Sequence, residues 1–230
     1  MYKNKKILAL VPARSGSKGI KNKNLKKIKN KTLIGYTSNF IDKLKIVDEK
    51  ILSTDGLKII NEGKKYKYNV IKRPRKLSGD RVPDIKVINH ILNQNQIKNN
   101  NFDYLIYLPP TSPIRKTKHL KEALSKVIKN NLDGSWSVTK IDKKNHPLKV
   151  FSIQKNLLKL YLSKGKKIIV RQQLDDIYIR NGVFYIFSIK EIFKQKTIYL
   201  KKIYPALTNY EIVNIDNLND LRKTKYLLNK

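Results

Sequence analysis

Short apolar runs recur at Ile7–Val11, Lys50–Ser53, Tyr68–Ile71, Tyr104–Leu108 and Ser135–Thr139, and the stretches between them carry helical periodicity. Each strand-to-helix step takes about 30 residues, the length of a βαβ unit. That alternation predicts an α/β fold: a mostly parallel twisted sheet with helices on both faces. Leu120, Ala123, Leu124, Val127 and Ile128 fall at i, i+3, i+4, i+7 and i+8, one helix stripe. Ile85, Ile88, Ile91 and Leu92 make a second, with Pro83 suited to its first turn. After Lys140 the rhythm changes. Val150–Ile153 and Leu157–Leu162 read as a hairpin, followed by a strand at Val183–Phe187, a late strand at Glu211–Ile215 and a helix over Leu218–Leu228. No Pro/Gly/Ser-rich linker divides the chain, so 1–230 is expected to form a single domain with 141–188 as a small β-rich insertion.

Composition excludes several chemistries. With no cysteine there are no disulfides, thiolate nucleophiles or Cys-based metal centres, and His90, His119 and His146 are too few for a histidine cage. A formal net charge of +34 raises the question of nucleic acid. The excess is nearly all lysine, 43 against eight arginines, and it is spread evenly. Readers of nucleic acid favour the planar fork of Arg. These lysines therefore read as a solvating surface, with nucleic acid contacted only through non-specific electrostatics. Lys3, Lys5 and Lys6 precede an apolar stretch, but Pro12 interrupts it and Arg14 follows at once. A buried first strand explains it better than a signal peptide. A cytoplasmic protein without membrane partners is expected.

In open α/β sheets ligands bind beyond the carboxyl ends of the strands. The loop after the first strand runs from Pro12 to Asn24, and in it Gly16 and Gly19 let backbone N–H groups approach an anion. Ser17 adds a hydroxyl, and Arg14, Lys18 and Lys23 supply positive charge. The loop is neither a Walker A sequence nor a GxGxxG turn. It reads as a cradle for a triphosphate.

The segment Ala9 to Asn24, ALVPARSGSKGIKNKN, resembles the opening motif of the acylneuraminate cytidylyltransferases, or CMP-sialic acid synthetases. The resemblance continues in order through Ser53-Thr54-Asp55, Arg73-Pro74, Leu77 to Asp80 and Pro110-Thr111-Ser112-Pro113-Ile114-Arg115. It extends to His146-Pro147-Leu148-Lys149, Arg171-Gln172-Gln173, Asn181-Gly182-Val183-Phe184-Tyr185 and Asn214-Ile215-Asp216. It implies a nucleotide-diphospho-sugar transferase-like fold and a reaction in which the anomeric hydroxyl of a nine-carbon sugar acid attacks the α-phosphate of CTP. CMP-sugar and pyrophosphate result, for cell-surface polysaccharide biosynthesis. It also implies a homodimer in which the insertion reaches the neighbour. Cytidylyltransferases for the eight-carbon acid Kdo are similar, but they have Ser-Arg where this chain has Ser17-Lys18.

Residue by residue, the resemblance assigns CTP to Ala13, Arg14, Ser17, Lys23, Asn24 and Arg73, with Arg14 and Lys23 on the phosphates. It assigns the sugar acid to Ser112, Lys149, Arg171 and Tyr185, with Arg14, Lys23 and Arg171 in catalytic roles. A substrate carboxylate suits Arg or Lys, which agrees. Two departures stand out. Pro109 replaces a family Gln that touches the sugar acid, which leaves legionaminic, pseudaminic or a related acid open. Asn214 and Asp216 replace an Asp-x-Asp pair that the resemblance gives to Mg²⁺, leaving Asp216 as the stronger ligand and Asn214 as the weaker; Asp216 as a cap of the final helix is the alternative. A different sugar acid such as Kdo, or a basic binding protein without catalysis, are the competing functions.

Overall fold

The computed structural model describes residues 1–229. Its strands are β1 (Ile7–Pro12), β2 (Lys27–Ile28), β3 (Lys31–Thr32), β4 (Glu49–Thr54), β5 (Asn69–Lys72), β6 (Tyr104–Tyr107), β7 (Gly134–Lys140), β8 (Phe151–Gln154), β9 (Leu157–Leu160), β10 (Tyr178–Ser188) and β11 (Ile203–Leu207). Its α-helices are α1 (Leu33–Leu44), α2 (Leu57–Lys65), α3 (Asp84–Leu92), α4 (Asn95–Lys98), α5 (Thr117–Lys129), α6 (Ile189–Gln195) and α7 (Leu218–Leu227). Seven strands form one sheet in the order β11-β7-β10-β6-β1-β4-β5. The pairings β1–β4, β1–β6, β4–β5 and β11–β7 are parallel, whereas β10 runs antiparallel to both its neighbours.

Strand alternation builds two cores. Ile7, Ala9 and Val11 of β1 face one way, with Leu52, Ile106 and Ile186, against Ile34 and Ile41 of α1 and Leu120, Leu124 and Val127 of α5. Leu8 and Leu10 face the other way, with Leu105 and Phe187, against Ile88 and Ile91 of α3 and Ile192 of α6. Fully burying each of the Val, Leu, Ile and Phe side chains contributes about 1.5–3 kcal/mol. α1 begins where the Thr32 hydroxyl accepts from the Gly35 N–H at 3.1 Å and stops at Lys45, whose φ of 55° is left-handed.

Several boundaries differ from the sequence reading. Pro83 occupies the N-cap of α3 rather than its first turn, so its ring stays outside the helical ladder. The insertion does not extend to 188, because β10 re-enters the main sheet at Tyr178. The hairpin β8–β9 turns on Lys155-Asn156, both at positive φ, as a two-residue hairpin turn requires. Glu211–Ile215 is not a strand. Val213 and Ile215 are buried while Asn214 and Asp216 are exposed, which imitates strand alternation, yet its backbone link to the neighbouring loop is a single bond from the Ile215 N–H to the Thr111 carbonyl. β11 has no counterpart among the strands the sequence predicts. Pro205 sits inside it, and its place at the sheet edge tolerates the missing donor. Among the described residues no helix is long and apolar enough to cross a membrane.

Candidate active-site cleft

The chain leaves β1 for β4 on one side and later returns to pair β6 on the other, so the strand order reverses at β1. Beyond that switch point lies a cleft of about 610 Å³. Its lining combines Pro12 at the end of β1 with Arg14 and Ser17 after it, Arg73 after β5, Tyr107 at the end of β6 with Pro109 after it, Tyr185 on β10, and Asn214 and Asp216 before α7. A second cavity of about 600 Å³ opens near the start of β4, among Asp48, Glu49, Lys50 and Lys67, and none of the expected site residues line it.

The loop after β1 is fastened from both sides. The Ser15 N–H and hydroxyl donate to the two carboxylate oxygens of Asp55, each at 2.8 Å. Burial pushes the Asp55 carboxyl up, but the two Ser15 hydrogen bonds, its own backbone N–H and the Arg73 charge together hold it below the usual range. The buried Asn24 amide donates to the Arg14 carbonyl at 2.9 Å. At Gly19 a Cβ would collide with the backbone carbonyl oxygen of Asp216, so glycine lets the loop lie directly on the segment before α7. Ala13 is buried, its N–H continuing the ladder to the Ser53 carbonyl, and it supports the loop rather than lining the cleft.

Arg73 is the most informative side chain. It is 5% exposed, and its Nε and Nη2 are buried without a hydrogen-bond partner. Burial lowers its pKa, against the opposing effects of Tyr107 and Asp55. A buried cation with unpaired donors costs free energy unless an anion completes it. Nearby, the Tyr107 hydroxyl donates to Asp84 at 2.6 Å, and burial with the Asp84 charge keeps that phenol protonated. Tyr185, half-buried beside Tyr107 and Trp136, forms the far wall.

Asp216 is not the helix cap. Asn217 takes that place, accepting from the Asp220 N–H at 3.0 Å in a capping box. The Asp216 carboxylate, 76% exposed, instead meets Lys23 Nζ at 2.9 Å. Asn214 has both ends of its amide engaged. Its Nδ2 donates to the Asn181 carbonyl at 3.0 Å, and its Oδ1 accepts from the buried Ser112 hydroxyl. Among the described residues no three His, Asp or Glu side chains converge to hold a metal. The donor set suits a cation held by one carboxylate and supplied mainly with substrate oxygens and water, as Mg²⁺ prefers.

The structure thus gathers Arg14, Ser17, Lys23, Asn24, Arg73, Tyr185, Asn214 and Asp216 around one cleft, with Ser112 just behind it. It does not bring Lys149 and Arg171 there. Both are exposed outside the cleft, between β7 and β10, and Arg171 meets Asp142 at 3.4 Å. Asp80, Asp84 and Tyr107 line the cleft without having been singled out as site residues. The sequence signal for Asp80 was its place in the Leu77–Asp80 motif; Asp84 and Tyr107 read as helix start and strand.

A family model described as cytidylyltransferase matches residues 8–230. The chain is 30% identical over 226 residues to the CMP-N,N'-diacetyllegionaminic acid synthase of Legionella pneumophila, covering 97% of this chain and 96% of that one. It is 29% identical to an N-acylneuraminate cytidylyltransferase of Escherichia coli over 63% of this chain, which spans 33% of that relative's length. Among solved structures, a CMP:2-keto-3-deoxy-manno-octonic acid synthetase complexed with CTP has the same fold, with a TM-score of 0.70 at 14% identity over 97% of this chain and 98% of that one.

Proposed function

The chain belongs to the cytidylyltransferase family, and we propose that its cleft transfers CMP from CTP to the anomeric hydroxyl of a nine-carbon sugar acid of the diacetyllegionaminic type. The hydroxyl oxygen forms a bond to the α-phosphorus, the bond to the β-phosphate bridge breaks, and pyrophosphate leaves. Such a transfer needs positioning and charge neutralisation more than covalent help. The observation that carries the reading is Arg73, a buried guanidinium with unpaired donors in a switch-point cleft. Opposite it stands a glycine loop bearing Arg14, Lys18 and Lys23.

In this reading Arg14, Lys23 and Arg73 hold the phosphates, and Tyr185 bounds the sugar-acid end. Magnesium would be held by Asp216 together with phosphate oxygens, and when bound it neutralises triphosphate charge. Asn214 contributes by fixing the cleft wall through Asn181 and Ser112. The full-length likeness to a legionaminic acid synthase favours that substrate type over N-acetylneuraminate, as does Pro109, which offers no side-chain hydrogen bond.

A homodimer belongs to the proposal. Phe151, Ile153, Leu157, Leu158, Tyr161 and Ile169 of the segment between β7 and β10 are exposed, an apolar surface suited to a second copy. Lys149 and Arg171 ride on the same segment, which would explain their place outside the monomer's cleft. A cytoplasmic setting, where nucleoside triphosphates are held, goes with the substrate. Pyrophosphate release from CTP, Mg²⁺ and a panel of sugar acids tests the reaction, with ATP as the control. Turnover confined to CTP and strongest with diacetyllegionaminic acid is expected; equal turnover with ATP would overturn it.

A further inference from the structure

The loop after β1 faces a carboxylate of its own chain. Arg14 Nη1 pairs with Asp80 Oδ1, and Lys18 Nζ lies 2.8 Å from Asp80 Oδ2. One carboxylate thus spans two cations with separate oxygens, as neighbouring oxygens of a phosphate would. Asp80 reaches them from the turn between Ser78 and Pro83, which forms the cleft wall opposite the loop through Gly79, Asp80 and Val82. The arrangement is open to water. Lys18 is 84% exposed and Asp80 36%, so each pair is of the weak, exchangeable kind. Lys18 and Arg14 hold the Asp80 carboxyl below the usual carboxylate range.

We propose that Asp80 is a built-in counter-anion of the phosphate cradle, displaced from Arg14 and Lys18 by incoming nucleotide and competing with pyrophosphate for the same two cations afterwards. This rests on the reading that the cradle takes the phosphates of CTP. The physical logic is one of exchange. A triphosphate carries several charges against one on Asp80, so it wins the cations, and losing two exposed ion pairs costs little. Between turnovers the carboxylate keeps Arg14 and Lys18 oriented toward the cleft. It also lowers the cradle's grip on a free polyphosphate, because a bound anion must first evict it. Arg73 has no such carboxylate within ion-pair distance among the described residues. The device therefore acts on the rim cations and spares the buried one.

Calorimetry with inorganic pyrophosphate on the full chain tests this, comparing wild type with Asp80→Asn, Asp84→Asn and Arg14→Ala. Asp80→Asn should bind pyrophosphate roughly 2- to 30-fold more tightly, the range for two exposed ion pairs, and should show correspondingly stronger product inhibition. Asp84→Asn removes the same charge from the cleft without touching Arg14 or Lys18, and it should shift binding less. An Asp80→Asn affinity equal to or weaker than wild type overturns the proposal, as does an equal gain from Asp84→Asn. Arg14→Ala separates this from the underlying reading. If it binds pyrophosphate as wild type does, or if wild type binds none, the cradle itself is misplaced. If Arg14→Ala alone loses binding and Asp80→Asn is unchanged, the cradle stands and the counter-anion falls.

Discussion

Lys23 Nζ lies 2.9 Å from Asp216 Oδ1, so a cation of the chain is seated on a carboxylate that lines the cleft. Lys23 is only 16% exposed, while Asp216 is largely in solvent. Nucleotide would draw the lysine to a phosphate and leave Asp216 to a divalent cation. Asp216→Asn should therefore lower turnover by about 10²–10³, typical for losing a stabiliser of developing charge. Helix content should not change, because Asn217 caps α7. Lys23→Gln should weaken CTP binding yet let Mg²⁺ alone bind more tightly than in wild type, read by calorimetry without nucleotide. Identical Mg²⁺ isotherms for both proteins would sink the exchange.

Much of this site was legible because it is made of local sequence. The apolar run Ile7–Val11 predicts a buried strand, and the structure puts that strand and the glycine- and cation-bearing loop after it at the switch point. What the sequence could not supply was partnership across distance. Lys23 and Asp216 are 193 residues apart, and Ser112 and Asn214 are 102 apart. The alternation Val213, Ile215 against Asn214, Asp216 reads as a strand although it comes from a loop wedged between core and cleft. Pro205 hid β11 because a proline argues against a strand unless the edge position is known.

Asn214 illustrates why the family's Asp-x-Asp pattern does not transfer unchanged. Restoring the carboxylate with Asn214→Asp removes the Nδ2 donor and sets an anionic oxygen against the Asn181 carbonyl. The expected result is a loss of about 1 kcal/mol, or roughly 2–4 °C in melting temperature for a chain of this size. The Mg²⁺ concentration for half-maximal activity should stay the same. A several-fold fall in that concentration, with no thermal penalty, would make position 214 a metal ligand after all.

Asp55 gives the site a defined acid limit. Its carboxyl is held below its unfolded value by the Ser15 hydrogen bonds, so its contribution to stability is present above the unfolded pKa of about 3.9 and is lost as pH falls below it. Denaturation midpoints of wild type and Asp55→Asn, compared from neutral pH downward, should differ by a constant amount to about pH 4 and converge below it. A gap that does not narrow at all as pH falls below about 4 would show that the carboxylate is not what anchors the loop.

Arg115 joins three elements without a carboxylate partner among the described residues. Its Nε donates to the Val183 carbonyl at 2.8 Å, its Nη1 to the Thr37 hydroxyl at 3.2 Å, and its Nη2 to the Pro109 carbonyl. Burial pulls its pKa down to about 10, so it remains charged at neutral pH. A desolvated cation is a costly way to fill a core, and what it secures is the spacing between the turn after β6 and β10 where its register on β7 shifts, between Arg180 and Tyr185. Both flank the cleft, through Pro109 and through Gly182, the neighbour of Val183. Arg115→Lys keeps the charge but cannot reach three acceptors with one ammonium. Leaving two carbonyl or hydroxyl oxygens unpaired costs on the order of 3 kcal/mol, which urea denaturation would register as a lower midpoint with an unchanged slope. Because the cradle after β1 does not depend on Arg115, pyrophosphate affinity should hold while KM for the sugar acid rises. If KM for the sugar acid stays at the wild-type value in a destabilised Arg115→Lys protein, the arginine supports the fold alone and does not set the cleft.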